Sequence, residues 1–144
     1  MSDKLHQAIE LAYQLHCGQR DKAGNPYLFH LIYVALQQDN EVAKIAALLH
    51  DSVEDGLITL KEIQNQFGGE IGTVVSLLTR SKEETYAEYI DRIAVSRNKA
   101  AISVKLADLE HNMQTDRFPE MSEKYISLQE RYKKAHIKLK NCFK

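Results

Sequence analysis

Ala46-Ala47-Leu48-Leu49-His50-Asp51-Ser52-Val53-Glu54-Asp55 is the stretch on which the reading of this chain turns. Four apolar residues run straight into an imidazole, followed by three carboxylates. Upstream the segment continues as Glu41-Val42-Ala43-Lys44-Ile45, and the spacing predicts a nearly all-apolar helix from Glu41 to about Val53 at the centre of a helical bundle. Carboxylates crowded at the end of such a helix repel one another, and burying them is costly unless a cation offsets their charge. No Lys or Arg lies between Lys44 and Lys61, which favours a metal ion over a local ion pair. Glu54 and Asp55 stand four residues after His50 and Asp51, so each is expected on the helical face of its predecessor.

Outward from this stretch, helix-period segments follow one another. Leu5 to Cys17 places Leu5, Ile9, Ala12, Leu15 and His16 along one face, and Gly18 to Pro26 is rich in turn residues. A second helix is expected from Tyr27 to Gln38. Thr59 and Glu62 form a T-x-x-E capping box opening a short helix that Gly68-Gly69 stops. Further helices are expected near Glu70–Thr79, Thr85–Val95, Asn98–Met113 and Ser122–Cys142, with Pro26 and Pro119 between helices. The fold class expected is all-α, a single domain over residues 1–144 with seven or eight helices. Its core spans residues 5–115, and a C-terminal helical segment covers about 121–142.

Composition narrows the function classes. The chain has 144 residues, 44% of them hydrophobic and 27% charged, which suits one globular core. Its net charge of −1 offers no global field for a nucleic-acid backbone or an anionic membrane, so neither partner is expected. Cys17 and Cys142 form no metal-binding or disulfide spacing and read as free thiols of a reducing compartment. Neither a signal peptide nor a membrane-spanning apolar run is visible, so a cytoplasmic location is expected. A homo-oligomer is left open.

Two more segments carry ionisable groups where a bundle normally places apolar ones. One is Gly24-Asn25-Pro26-Tyr27-Leu28-Phe29-His30; the other is Val104-Lys105-Leu106-Ala107-Asp108-Leu109-Glu110-His111-Asn112. Each piece alone has a plain structural reading. His30 fits a core histidine, Asp108 fits a pair with Lys105 three residues earlier, and Glu54-Asp55 fits a solvated helix end. Together they suggest a divalent centre held by His30, His50, Asp51 and Asp108, with open positions for water and a phosphate oxygen. Mixed imidazole and carboxylate ligands suit Mn²⁺, Fe²⁺, Co²⁺ or Zn²⁺ better than Ca²⁺. Such an ion polarises a phosphoryl group and lowers the pKa of water, and Glu54 and Asp55 would hold or deprotonate that water.

These three segments resemble the HD-domain signature, a histidine, an HD pair and a distant aspartate. More closely, the stretches 16–30, 46–56 and 104–115 are similar to the hydrolase half of the RelA/SpoT alarmone enzymes and to the small alarmone hydrolases. The resemblance implies metal ligation by His30, His50, Asp51 and Asp108, usually of Mn²⁺, with Glu54 and Asp55 supporting the nucleophilic water. It implies nucleotide contacts from Lys22, Tyr27, Asn112 and Thr115, and removal of the 3′-pyrophosphate from ppGpp or pppGpp. Four positions depart from the pattern: Asp21 stands where an Arg beside guanine is common, Gly56 for Thr, Gln114 for Arg and Leu31 for Pro.

Three functions are therefore carried forward. The leading one is a metal-dependent (p)ppGpp pyrophosphohydrolase. A generic HD phosphohydrolase or nucleotidase is the second, kept by Asp21 and Gly56. A nucleotide-binding module without turnover is the third. The C-terminal segment, with Lys124, Lys133, Lys134, Lys138, Lys140 and Lys144 among interleaved acids, reads as a solvated face, with Tyr125 and Tyr132 expected to pack on the bundle. His6, His16 and His136 show no partner in the sequence and receive no role.

Overall fold

The structure is a computed structural model that describes residues 3–114 and 122–143. Eight α-helices follow one another among those residues, with no strand beyond a single bridge between Arg20 and Pro26. They are α1 (Asp3–Leu15), α2 (Tyr27–Leu36), α3 (Glu41–Leu49), α4 (Leu60–Phe67), α5 (Gly69–Leu78), α6 (Tyr86–Ser96), α7 (Lys99–Asn112) and α8 (Glu123–Lys140). A 3₁₀ turn over Asn141–Phe143 closes the described chain. Expected helices and observed ones agree to within a few residues, and the bundle is all-α. Pro119 lies outside the described residues.

Helix α3 is the hub, touching α1, α2, α5 and α7. Ala43, Ile45, Ala46, Ala47, Leu48 and Leu49 are all buried, and only the first turn, with Glu41 exposed and Lys44 half-buried, reaches water. Burial of each large aliphatic there stabilises the fold by roughly 2 kcal/mol. Asn40 starts the helix by accepting from the Ala43 amide.

The helix does not run on to Val53. It ends at Leu49, His50 caps it, and residues 51–56 form consecutive turns. Ser52 accounts for the early stop: its hydroxyl donates to the Leu49 carbonyl at 2.6 Å while its amide donates to the same oxygen at 3.1 Å. Such local side-chain bonds compete with the helical ladder. Gly56 finishes the turn at φ +73°, a conformation that a β-branched Thr adopts only with strain.

The capping box at Thr59 and Glu62 is present with both reciprocal bonds, and a second one, not read from the sequence, joins Thr85 and Glu88. Gly68 stops α4 at φ +98°, but Gly69 is already the first residue of α5, so one glycine rather than two separates these helices. Toward the end of the chain, α8 packs on α6 and α7. Tyr125 is buried and Tyr132 half-buried, as expected for side chains that pack on the bundle. None of the described helices is long and apolar enough to cross a membrane.

Candidate metal centre

Three helices bring the singled-out side chains to one place. His30 sits one turn into α2, His50 caps α3, Asp51 follows it, and Asp108 lies in the last turns of α7. His30, His50 and Asp108 are buried, and Asp51 is half-buried. The contacts α2·α3, α2·α7 and α3·α7 hold these elements together, so the positions of the side chains follow from core packing.

The distances suit a shared ion. His30 Nε2 is 2.9 Å from Asp108 Oδ1, and His50 Nε2 is 3.3 Å from both Asp108 Oδ1 and Asp51 Oδ2. Atoms bound to one first-row cation at about 2.1 Å stand about 3.0 Å apart on an octahedron and about 3.4 Å apart on a tetrahedron. One ligand atom each from His30, His50 and Asp51 also falls within 4.8 Å of the others.

The far nitrogens are fixed as a ligand requires. His50 Nδ1 donates to the Ala47 carbonyl at 2.6 Å, which leaves Nε2 to face the carboxylates. His30 Nδ1 is 2.7 Å from His111 Nδ1, and the His111 ring is stacked between those of His30 and Tyr33. Tyr27 donates its hydroxyl to Asp51 Oδ2.

Charge points the same way. Burial alone would lower the pKa of His50, but Asp51 and Asp108 outweigh it and push the imidazole up to about 9. Burial likewise works against the Asp108 carboxylate, yet Lys105 and then the two imidazoles hold it well below the usual range. The cluster therefore gathers positive charge. Lys105 is one source: its Nζ is 2.9 Å from Asp108 Oδ2, across from the oxygen that faces the imidazoles. Both readings of Asp108 thus describe the same residue, which meets Lys105 through one oxygen and the histidines through the other. Residues 45–60 hold no basic partner, as read from the sequence, but the fold supplies Lys105 from another helix, so a local ion pair is present after all.

Glu54 and Asp55 do not stack on His50 and Asp51 along a helix, because α3 has already ended. Glu54 turns toward α5's end, where Oε1 accepts from the Arg80 amide at 2.7 Å. Asp55 lies exposed on the same turn, and burial followed by repulsion from Asp51 raises its pKa.

Beside the cluster lies a cavity of about 210 Å³. Asp51 and Asp108 form one wall, and Glu54, Tyr27 and Asn112 also line it. Arg80, Lys105 and Arg131 line it too, with Tyr86, Tyr89 and Tyr132. Arg131 lies 3.8 Å from the Tyr86 ring centre. Tyr86 itself has a buried hydroxyl with no hydrogen-bond partner among the described residues.

Of the expected nucleotide contacts, Tyr27 and Asn112 line this cavity. Lys22 is exposed on the 18–26 turn and is not among the lining residues, and Thr115 lies outside the described residues. Asp21 builds its turn by accepting from the amides of Ala23 and Asn25. Sequence reading missed Arg80, Arg131, Tyr86 and Tyr132 as cavity residues, since no local signal connects positions so far apart. His6, His16 and His136 do have partners, in Glu10, Gln19 and Glu110.

Residues 8–121 match the HD domain. The chain belongs to the HD-domain family. Among its relatives, this HD-domain chain is 36% identical over 130 residues to a GTP pyrophosphokinase of Myxococcus xanthus, covering 78% of the chain and 17% of that protein. It is 37% identical over 124 residues to the GTP pyrophosphokinase rsh of Brucella ovis, covering 77% of the chain and 16% of that protein. The chain thus spans less than a fifth of the length of these curated relatives. A solved structure described as a metazoan ortholog of SpoT that hydrolyzes ppGpp has the same fold, with a TM-score of 0.79 at 24% identity, over 99% of this chain and 95% of that one.

Proposed function

We propose that this HD domain is a metal-dependent phosphohydrolase that removes pyrophosphate from (p)ppGpp or a closely related 3′-diphosphorylated nucleotide. The observation that carries it is the juxtaposition of an imidazole–carboxylate cluster and a cavity that Asp51 and Asp108 line together with the cations Arg80, Lys105 and Arg131. Relatives with GTP pyrophosphokinase names and the fold of a ppGpp hydrolase support the substrate.

His30, His50, Asp51 and Asp108 would hold one divalent ion, Mn²⁺ by the resemblance, with Fe²⁺, Co²⁺ or Zn²⁺ compatible with the same donors. When bound, that ion supplies Lewis-acid polarisation of a phosphoryl oxygen and a lowered pKa for water. The chain's own groups do the rest. Arg80, Lys105 and Arg131 receive the negative oxygens of the diphosphate, and the Tyr86 hydroxyl has a hydrogen bond to donate there. Asn112 and Tyr27 lie on the wall nearest Asp108 and Asp51, where the sugar would enter. Asp55, with its raised pKa, and Glu54 orient the water and take its proton. Water oxygen bonds to the phosphorus attached to the ribose 3′-oxygen, that P–O bond breaks, the departing 3′-oxygen takes up the proton removed from water, and the products are the 3′-hydroxyl and pyrophosphate.

The 144 residues are read as one unit, acting in the cytoplasm, where the exposed free thiols of Cys17 and Cys142 would stay reduced. Incubation of Mn²⁺-loaded protein with ppGpp should release pyrophosphate and leave GDP. Release of orthophosphate, or an inert response to ppGpp with turnover of another nucleotide, would move the assignment to a generic nucleotidase. Asp21 favours that second reading, because its carboxylate is engaged in the turn where the family commonly has an Arg.

A further inference from the structure

The end of α5 leaves backbone carbonyls with no partner along their own helix, and side chains of α6 take them. Tyr89 donates its hydroxyl to the Leu78 carbonyl at 2.7 Å. Arg92 stands three residues on, on the same helical face, and donates to the carbonyls of Leu77 at 3.3 Å and Thr79 at 3.0 Å. The same guanidinium grips Glu84 as a fork, from Nε to Oε2 at 2.7 Å and from Nη2 to Oε1 at 3.0 Å. Both partners are half-buried, and neither lines the cavity beside the cluster.

What this pair holds is the link between α5 and α6, residues 79–85, which has neither helix nor strand of its own. Such a link keeps one shape only where side chains tie it down. Glu84 closes it on itself. Its Oε1 accepts from the Ser81 amide at 3.3 Å, its own amide donates to the Ser81 carbonyl at 3.3 Å, and its carbonyl accepts from Arg80 Nε at 3.0 Å. Arg80 is held a second time at its amide, which donates to Glu54 Oε1 at 2.7 Å. The two Nη groups of Arg80 make no hydrogen bond among the described residues, and Arg80 lines the cavity. Fixing Nε removes most of the rotamers open to so long a side chain and leaves the outer nitrogens of the fork for a ligand.

We infer that Glu84 and Arg92 are positioning residues that hold Arg80 in the orientation in which it receives the diphosphate. The inference rests on the reading above in which Arg80 meets those oxygens. Arg92 acts through the Glu84 carboxylate, and Glu84 acts through its own carbonyl, so neither needs contact with an ion or substrate.

The test uses the full chain loaded with Mn²⁺ and pyrophosphate release from ppGpp. It adds ¹⁵N spectra of arginine Nε–H groups on protein loaded with Zn²⁺, which does not broaden the lines. R80M identifies the Arg80 signal by its loss. That signal should exchange slowly with solvent in the wild type and about tenfold faster or more in R92M, once the link opens locally. R92M should keep the bound metal per chain and raise KM for ppGpp about tenfold, the scale of one charge-assisted hydrogen bond. In an R80M background the same R92M change should bring no further rise. R92K keeps the charge but not the fork, so it should melt closer to the wild type than R92M and still raise KM about threefold or more. If Arg92 only stabilised the fold, KM would return to the wild-type value along with the melting temperature.

Wild-type KM in R92M, or an R92M effect that multiplies with that of R80M, overturns the inference while Arg80 keeps its role. Should R92M not fold, wild-type KM in R92K overturns it in the same way. Wild-type KM in R80M overturns the reading of Arg80 instead. An Arg80 Nε–H that exchanges as slowly in R92M and R92K as in the wild type overturns the positioning role whatever nucleotide the protein uses.

Discussion

The place where α2, α3 and α7 meet and the turn over residues 18–26 both carry residues that the motifs single out, but they are built in opposite ways. At the helical junction, His30, His50 and Asp108 are 5% exposed or less, and each meets a neighbour from another helix or from the backbone of its own. On the turn, Asp21, Arg20 and Gly24 bond chiefly among themselves, and Lys22 is exposed. A divalent centre needs donor atoms fixed to within a few tenths of an ångström, and core packing provides that. Recognition of a nucleotide's outer parts tolerates a cation at the surface, which a turn provides.

Breaking the junction should have the largest effect. D108N removes a proposed ligand and also leaves the buried Lys105 ammonium without its carboxylate. We expect loss of metal from the purified protein, activity lower by about 10³-fold or more, and a stability loss of about 3–5 kcal/mol in denaturant melts. D108N/K105M should recover much of that stability and none of the metal. Metal retention in the double variant would remove Asp108 from the ligand set.

A smaller effect is expected one layer out. H111A takes away the ring that meets His30 Nδ1 and should weaken metal binding about 10–100-fold in competition with a chelating dye. An unchanged affinity would mean that α2 alone orients His30.

R131M tests the cation wall. It should raise KM for ppGpp about tenfold, with the metal content unchanged, since a charge-assisted hydrogen bond contributes about 1.5–3 kcal/mol. A loss confined to kcat would show that Arg131 acts on the reacting phosphorus and not on binding.

K22A should do least, changing kcat/KM roughly threefold or less at moderate salt, because an exposed charge is well screened. A tenfold loss would make the turn a recognition element equal to the cavity and undo the contrast drawn above.

Particular residues show what could be read in advance. The Thr59–Glu62 capping box was legible because both bonds span three residues, and the apolar run of α3 because residues 45–49 in unbroken succession are buried. The end of α3 was not, since the competition between Ser52 and the helical ladder is decided by a single hydroxyl. Nor was the environment of Asp108: Lys105 was visible as a partner, but the side chains of Arg80, Arg131, Tyr86 and Tyr132 reach the same cavity from α5's end, α6 and α8. His30 and His111 stand 81 residues apart, and nothing in their local sequence connects them.

By itself, the amino-acid sequence determined an all-α chain, most of its helix limits, and which imidazoles and carboxylates to look for. Those properties depend on neighbours three or four residues away and on how many apolar groups must leave water. Only the tertiary structure decided that Lys105 shares Asp108 with the histidines, that Glu54 and Asp55 lie on a turn, and that Arg80, Lys105 and Arg131 line one cavity with Asp51 and Asp108. The physical reason is that such contacts are set by how helices pack, and packing joins residues without regard to their distance along the chain.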